Sequence, residues 1–401
     1  MSDSGLSQAR LDHMQAVMTG YVERGEVPGI VTLISRRDEV YVATIGKKSV
    51  DSSDLIGRDT IFRVSSMTKP IVAAATMGLV EECKLRLDEP VDRLLPELAD
   101  RKVLKRLDGP LDDTVPANRP ITVRDLLTFR MGFGMVLAPP DTFPIQKAMD
   151  GLDLGQNGPS AATTPEPDEW MRRLGTLPLL HQPGEKWMYN TGCDVLGVLI
   201  ARASGQTLES YLRERLFAPL GMQDTGFSVP ESEIHRLATS YETNVETGAN
   251  EVYDPAVGGQ YSRPPAFPSG AGGLVSTVDD YLAFSQMMLN RGRHGNERVL
   301  SRLSVEAMTT DQLTPEQKAG AGIILGENRG WGFGMSIVTR RDDVASVPGR
   351  FGWDGGLGTS AYADPHEELV GILMTQQAWT SPEGPNVYND FWTSVYTAID
   401  D

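Results

Sequence analysis

Strand-like runs stand at both ends of this chain, and a long stretch of mostly helical pattern separates them. Near the start, residues 30–35 and 40–45 are rich in β-branched residues and are joined by the charged turn Arg36-Arg37-Asp38-Glu39, which predicts an antiparallel hairpin. Near the end, residues 334–339, 358–363 and 369–375 have the same strand chemistry. Apolar residues at helical spacing over 6–23, stopped by Gly25, and again over 387–399 predict a helix at each terminus. Strands and helices at both termini around a helical middle imply one domain built from both ends. The predicted fold class is α/β (α+β), with residues 1–85 and 276–401 forming a domain around a central antiparallel sheet flanked by helices. Residues 86–275 are expected to form a mostly helical inserted domain, with the active site in the cleft between the two.

The middle carries short helical patterns at 123–129, 169–174, 194–203 and 208–216, separated by loops rich in Pro and Gly. The longest, 138–167, reads as a surface excursion. Ser276-Thr277-Val278-Asp279 caps an amphipathic helix running to about residue 290.

Three segments carry candidate chemistry. Ser66-Met67-Thr68-Lys69 opens a helix that is apolar nearly all round, through Ile71, Val72, Ala73, Ala74 and Ala75. Residues three apart share a helix face, so Lys69 is expected to reach the Ser66 hydroxyl. A desolvated ammonium gives up its proton more readily than one in water, and a lysine inside an apolar helix needs partners to be tolerated. Tyr189, in Trp187-Met188-Tyr189-Asn190-Thr191-Gly192, follows the turn at Pro183-Gly184 and precedes a helix. Gly352-Trp353-Asp354-Gly355-Gly356-Leu357-Gly358 is dense in glycine and leads into a strand, where a bare backbone can approach a ligand closely.

Together, in this order, these segments resemble the serine β-lactamase and penicillin-binding-protein superfamily, most closely its class C branch and the family VIII carboxylesterases. The likeness rests on Phe62-Arg63-Val64-Ser65-Ser66-Met67-Thr68-Lys69-Pro70, on Ile121-Thr122-Val123-Arg124-Asp125-Leu126-Leu127-Thr128, and on Pro183-Gly184-Glu185-Lys186-Trp187-Met188-Tyr189 with Asp194-Val195-Leu196-Gly197. Gly272-Gly273-Leu274-Val275-Ser276-Thr277-Val278-Asp279-Asp280-Tyr281 and Trp353-Asp354-Gly355 complete it. The resemblance implies a β-lactamase-like fold, Ser66 as acylated nucleophile, and Lys69 with Tyr189 as the proton-transfer pair. It also implies an oxyanion hole from the backbone N–H groups of Ser66 and Gly356, with Trp353 and Gly355 contacting substrate. No organic cofactor and no metal is implied.

The chain departs from the β-lactamase pattern in three places. Thr191 stands where Tyr-x-Asn would need Asn, Ser-Asp-Asn is absent, and Trp353 stands where Lys-Thr-Gly has its cation. An indole cannot pair with a β-lactam carboxylate, so the expected substrate is a small neutral ester and the expected activity that of a serine carboxylesterase. A β-lactamase, D-aminopeptidase or amide hydrolase on the same scaffold, and a non-catalytic binding or sensor homologue, remain as alternatives.

An α/β-hydrolase would need Gly-x-Ser-x-Gly, and Gly158-Pro159-Ser160-Ala161-Ala162 lacks the closing Gly. The five histidines, His13, His181, His235, His294 and His366, show no metal-ligand spacing. A net charge of −17 argues against nucleic acid or an anionic membrane as partner. Cys83 and Cys193 are read as buried free thiols. The polar start of the chain lacks a secretory leader pattern and no apolar run is long enough to span a bilayer, so a cytoplasmic protein is expected.

Overall fold

The computed structural model describes residues 5–37, 39–155, 163–244, 246–382 and 384–401. Among them, seven strands form the large sheet: β1 (Gly29–Arg36), β2 (Glu39–Gly46), β3 (Arg329–Trp331), β4 (Ser336–Val338), β5 (Phe351–Gly355), β6 (Thr359–Asp364) and β7 (Leu369–Thr375). Their order is β3-β4-β5-β6-β7-β1-β2, and every neighbouring pair is antiparallel. The two ends of the chain meet at β1, where Leu33 lies opposite Ile372 of β7 on one side and Val42 of β2 on the other.

Five helices frame this sheet and the cleft beside it: α1 (Gln8–Glu23), α2 (Thr68–Glu81), α3 (Thr191–Ser204), α4 (Val278–Leu289) and α5 (Asn386–Thr397). Every residue of β1 is buried, because alternate side chains leave a strand on opposite faces and both faces are covered. Ile30 and Ile34 join the apolar cluster of α1 and α5, including Met18 and Phe391. Val31 and Leu33 join the other cluster, with Tyr281 and Phe284 of α4. Helix α2 is buried from Thr68 to Met77 without a break, as its apolar composition requires, and it packs on α3.

Several expectations shift. The segment 351–355, read as a glycine-rich lead-in, is itself strand β5. The 138–167 excursion contains a helix, Pro144–Gly151, whose Ile145 and Met149 are buried one turn apart; Gly158 to Ala162 lie outside the described residues. Thr277, not Ser276, caps α4 by accepting from the Asp280 N–H at 3.3 Å, because the Ser276 hydroxyl pairs with Thr225 Oγ1 at 2.8 Å. The stretch 86–275 also includes the strand pairs Lys102–Leu104 with Thr114–Pro116 and Ser240–Thr243 with Asn250–Asp254. Cys193 is buried as expected, but Cys83 is exposed. No helix among the described residues is long and apolar enough to cross a membrane.

Candidate active site

The chain enters the site along the short strand Phe62–Arg63, which pairs with Val275–Ser276. A single 3-10 turn, Ser65–Met67, then precedes α2. Ser66 therefore sits on a tighter turn ahead of the α-helix rather than inside it. Ser65 takes a left-handed φ of 45° to make this turn, a conformation costly for a side chain with a Cβ and held only by its surroundings. Those surroundings are specific. Met67 N–H donates to Val64 O at 3.0 Å, the Thr359 hydroxyl to the same oxygen at 3.2 Å, and the Tyr281 hydroxyl to Met67 O at 2.9 Å. Leu274 N–H donates to Thr68 Oγ1 at 3.1 Å.

Lys69 is fully buried. Its Nζ donates to Ser66 Oγ at 2.7 Å and to the carbonyl of Ala271 at 2.7 Å. The face of the Tyr189 ring lies 4.5 Å from the same nitrogen, a favourable place for a cation. Tyr189 is held in an aromatic cluster with Phe129, Trp187, Trp331 and Trp353, at ring separations of 5.7–6.4 Å. Its hydroxyl oxygen accepts a hydrogen bond of 2.7 Å from Trp353 Nε1. The expected proton-transfer pair thus meets through the ring face, with the Tyr189 hydroxyl turned toward Trp353.

Ser66, Tyr189, Trp353 and Gly356 line one cavity of about 760 Å³. Among the described residues the amide N–H groups of Ser66 and Gly356 have no backbone acceptor, as an oxyanion hole requires. Gly355 is placed differently from the expectation. It is buried and backs onto the nucleophile turn, where an added Cβ would lie 2.4 Å from Val64 O and 2.3 Å from Thr359 Oγ1. It brings β5 against the Val64 carbonyl, and it is not among the residues that line the cavity. Trp353 lines the cavity, but its N–H is committed to Tyr189. Near the Tyr189 side, Phe133 is buried packing, while Met135 and Leu137 line the cavity. Thr122 and Asp125 of the 121–128 segment form the capping box of the helix Val123–Leu127, so that segment builds the fold.

The beta-lactamase family profile matches residues 14–388. The chain belongs to the beta-lactamase family. Protein Rv1367c of Mycobacterium tuberculosis is 39% identical over 378 residues, covering 91% of this chain and 90% of its own. Esterase EstB of Burkholderia gladioli is 32% identical over 405 residues, covering 96% and 94%. Among solved structures, EstCE1, described as a hydrolase with promiscuous acyltransferase activity, aligns with a TM-score of 0.79 and 25% identity over 97% of this chain and 99% of its own. This is therefore a serine hydrolase on the β-lactamase-like fold.

Sequence reading passed over the layer behind Lys69. Asp194 of α3 is buried, and its Oδ1 accepts from the Ser269 hydroxyl at 2.6 Å and the Ala271 N–H at 3.1 Å. Ala271 then offers its carbonyl to Lys69, so Asp194 holds the loop that holds the lysine. Its Oδ2 is buried without a partner among the described residues. Burial pushes the Asp194 carboxyl from 3.8 up to about 6, against the pull of Ser269, Lys69 and the Ala271 N–H. Between those values the folded protein binds this proton and the unfolded chain does not, so stability falls as pH rises through the window and is level above it. At about 1.4 kcal/mol per pH unit the loss is roughly 3 kcal/mol. Asp194→Asn keeps both accepted bonds and cannot ionise. Denaturant unfolding from pH 4 to 7 is expected to show wild type losing stability relative to Asp194→Asn by about that amount. Parallel curves would mean that Asp194 does not titrate there.

Proposed function

We propose that this protein hydrolyses carboxylic esters through an acyl-enzyme on Ser66. The observation that carries this reading is Trp353. It stands where β-lactamases of the resembling pattern carry Lys-Thr-Gly, and it gives its Nε1–H to Tyr189. An indole there offers a carboxylate beside the reacting carbonyl no charge to pair with, whereas a neutral ester asks for none. The similarity to a protein called an esterase supports the same reading.

In the proposed reaction Ser66 Oγ attacks the ester carbonyl as its proton passes to the Lys69 amine. The oxyanion is received by the N–H groups of Ser66 and Gly356, each such donor being worth about 2.7–4 kcal/mol of barrier. Collapse breaks the bond to the alkoxide, which takes a proton from the Lys69–Tyr189 pair and leaves as alcohol. Water then attacks the acyl-enzyme, gives a proton to the same pair, and releases the acid and free Ser66.

The test is p-nitrophenyl butyrate against nitrocefin, with intact-mass analysis of each incubation. Ester turnover with a transient butyryl adduct, and nitrocefin turnover at least about 100-fold slower in kcat/KM (about 2.7 kcal/mol), is the expected result. Nitrocefin turnover matching the ester would make this a β-lactamase and remove the argument from Trp353.

A further inference from the structure

The cavity at Ser66 continues past Trp353 to a second, charged region. Its wall there includes Arg329, Arg350, Asp354, Tyr362 and Trp392. Arg350, just before β5, is only 4% exposed. Its guanidinium lies 4.3 Å from the Tyr362 ring centre, 3.8 Å from that of Trp392 and 5.4 Å from that of Tyr396. Nη1 donates to Ala345 O at 2.6 Å, while Nε is buried with no partner among the described residues. Among the described residues no carboxylate forms an ion pair with it, and burial holds its pKa below the ordinary value.

Aromatic faces compensate a buried cation only in part. An anion that takes the guanidinium fork would complete the compensation. Arg329 stands beside it, donating from Nη1 to the Tyr362 hydroxyl at 3.0 Å. Asp354 offsets the pair only in part. Its carboxylate accepts the Ser360 hydroxyl at 2.6 Å and the Tyr362 hydroxyl at 2.9 Å, and meets Arg329 only at 3.9 Å.

We propose that this arm of the cavity binds a carboxylate, so that the preferred ester carries a free carboxylate remote from its scissile carbonyl. The proposal rests on the ester reading above and names its substrate class. Asp354 and the exposed Asp343, also on the wall, oppose a doubly charged phosphate and favour a single negative charge. Gly356 lies six positions after Arg350, and at about 3.3 Å per residue of strand the span is at most roughly 20 Å. The two charges of the reaction are thereby kept apart: the oxyanion at Gly356, the carboxylate at Arg350. The spacer between ester and acid can be long, up to that span of roughly 20 Å.

The experiment compares matched esters with and without a terminal carboxylate. One pair places the charge on the acyl side, p-nitrophenyl monoesters of suberic through tetradecanedioic acid against p-nitrophenyl alkanoates of equal length. The other places it on the alcohol side, ω-carboxyalkyl butyrates against alkyl butyrates. The readout is the ratio of kcat/KM within a pair rather than either rate. In wild type at least one pair is expected to favour the acid by about 10-fold or more. Arg350→Met should bring that ratio to about one, and Arg329→Met should lower it. If Arg350→Met does not fold, Arg350→Lys keeps the cation among the rings but loses the fork, and the ratio should still fall.

A ratio near one in both wild-type pairs, with neutral esters turned over, would overturn the proposal and leave the ester reading standing. A preference that survives the arginine variants would also overturn it. If no ester is turned over, the ester reading fails. Calorimetric titration of wild type with decanedioate then judges the carboxylate site by itself. Binding lost in the arginine variants supports it, and no binding overturns it.

Discussion

Ser66→Ala is expected to reduce ester turnover by about 10³-fold or more, the loss typical when a serine hydrolase is stripped of its nucleophile, while the protein stays folded. The second half of that expectation comes from the hydrogen bonds around Lys69. Its Nζ has two acceptors, Ser66 Oγ and Ala271 O, both at 2.7 Å. The variant removes the first and keeps the second, so the buried nitrogen is not orphaned. Ser66 also lines the cavity, where water can replace the lost hydroxyl. A stability change within about 1 kcal/mol is expected. The measurement joins three readouts: p-nitrophenyl butyrate kinetics, intact mass after a fluorophosphonate probe, and the melting temperature. Wild type should gain one probe mass and the variant none, at near-equal melting temperature. Ester turnover surviving in a folded Ser66→Ala protein would remove the nucleophile and every role built around it.

The hairpin of β1 and β2, strand β7 and helix α4 were legible because local pattern and tertiary demand agree in them. In β1, GIVTLISR is apolar or β-branched at most positions, and the fold buries it on both faces. Strand β5 shows the opposite case. Gly352 and Gly355 read as part of a glycine-dense approach to a ligand, yet each is needed within the strand because a Cβ would strike backbone, Ala361 O at 2.1 Å and Val64 O at 2.4 Å respectively. Local propensity sees a flexible segment; the sheet sees the only residue that fits. The pairing of Ser66 with Lys69 was legible because it is local. The Trp353 to Tyr189 bond spans 164 residues, and the Lys69 to Ala271 bond spans 202. No periodicity encodes such contacts. A lysine in an apolar helix announced that it needs partners, but only the fold supplied the Ala271 carbonyl and, behind it, Asp194. Likewise, Arg329 and Arg350 lie apart in sequence and come together only at the ring of Tyr362, 5.6 and 4.3 Å from its centre.

Lys69→Met should match Ser66→Ala in its effect on turnover, and it should exceed Tyr189→Phe. The order is set by where the atoms are. Lys69 Nζ is in hydrogen-bond contact with the hydroxyl that must lose a proton. Tyr189 instead offers that nitrogen the face of its ring, and its own oxygen is engaged by Trp353. Removing the proton acceptor is expected to cost about 10³-fold or more. Removing the Tyr189 hydroxyl is expected to cost about 10²-fold, at the lower end for a general acid–base group, because it acts on the leaving alcohol rather than on the attacking serine. Stability separates the variants in the same order. Met fills much of the lysine volume without a buried ammonium, leaving Ala271 O unpaired at about 1–3 kcal/mol. Tyr189→Phe strands the Trp353 N–H at the cavity wall, where water can reach it, and should change stability by less. Single-turnover acylation rates for both variants, beside their melting temperatures, decide the matter. Should Tyr189→Phe slow acylation as much as Lys69→Met, the tyrosine would be the group that deprotonates Ser66, and the lysine would be left to hold it in place.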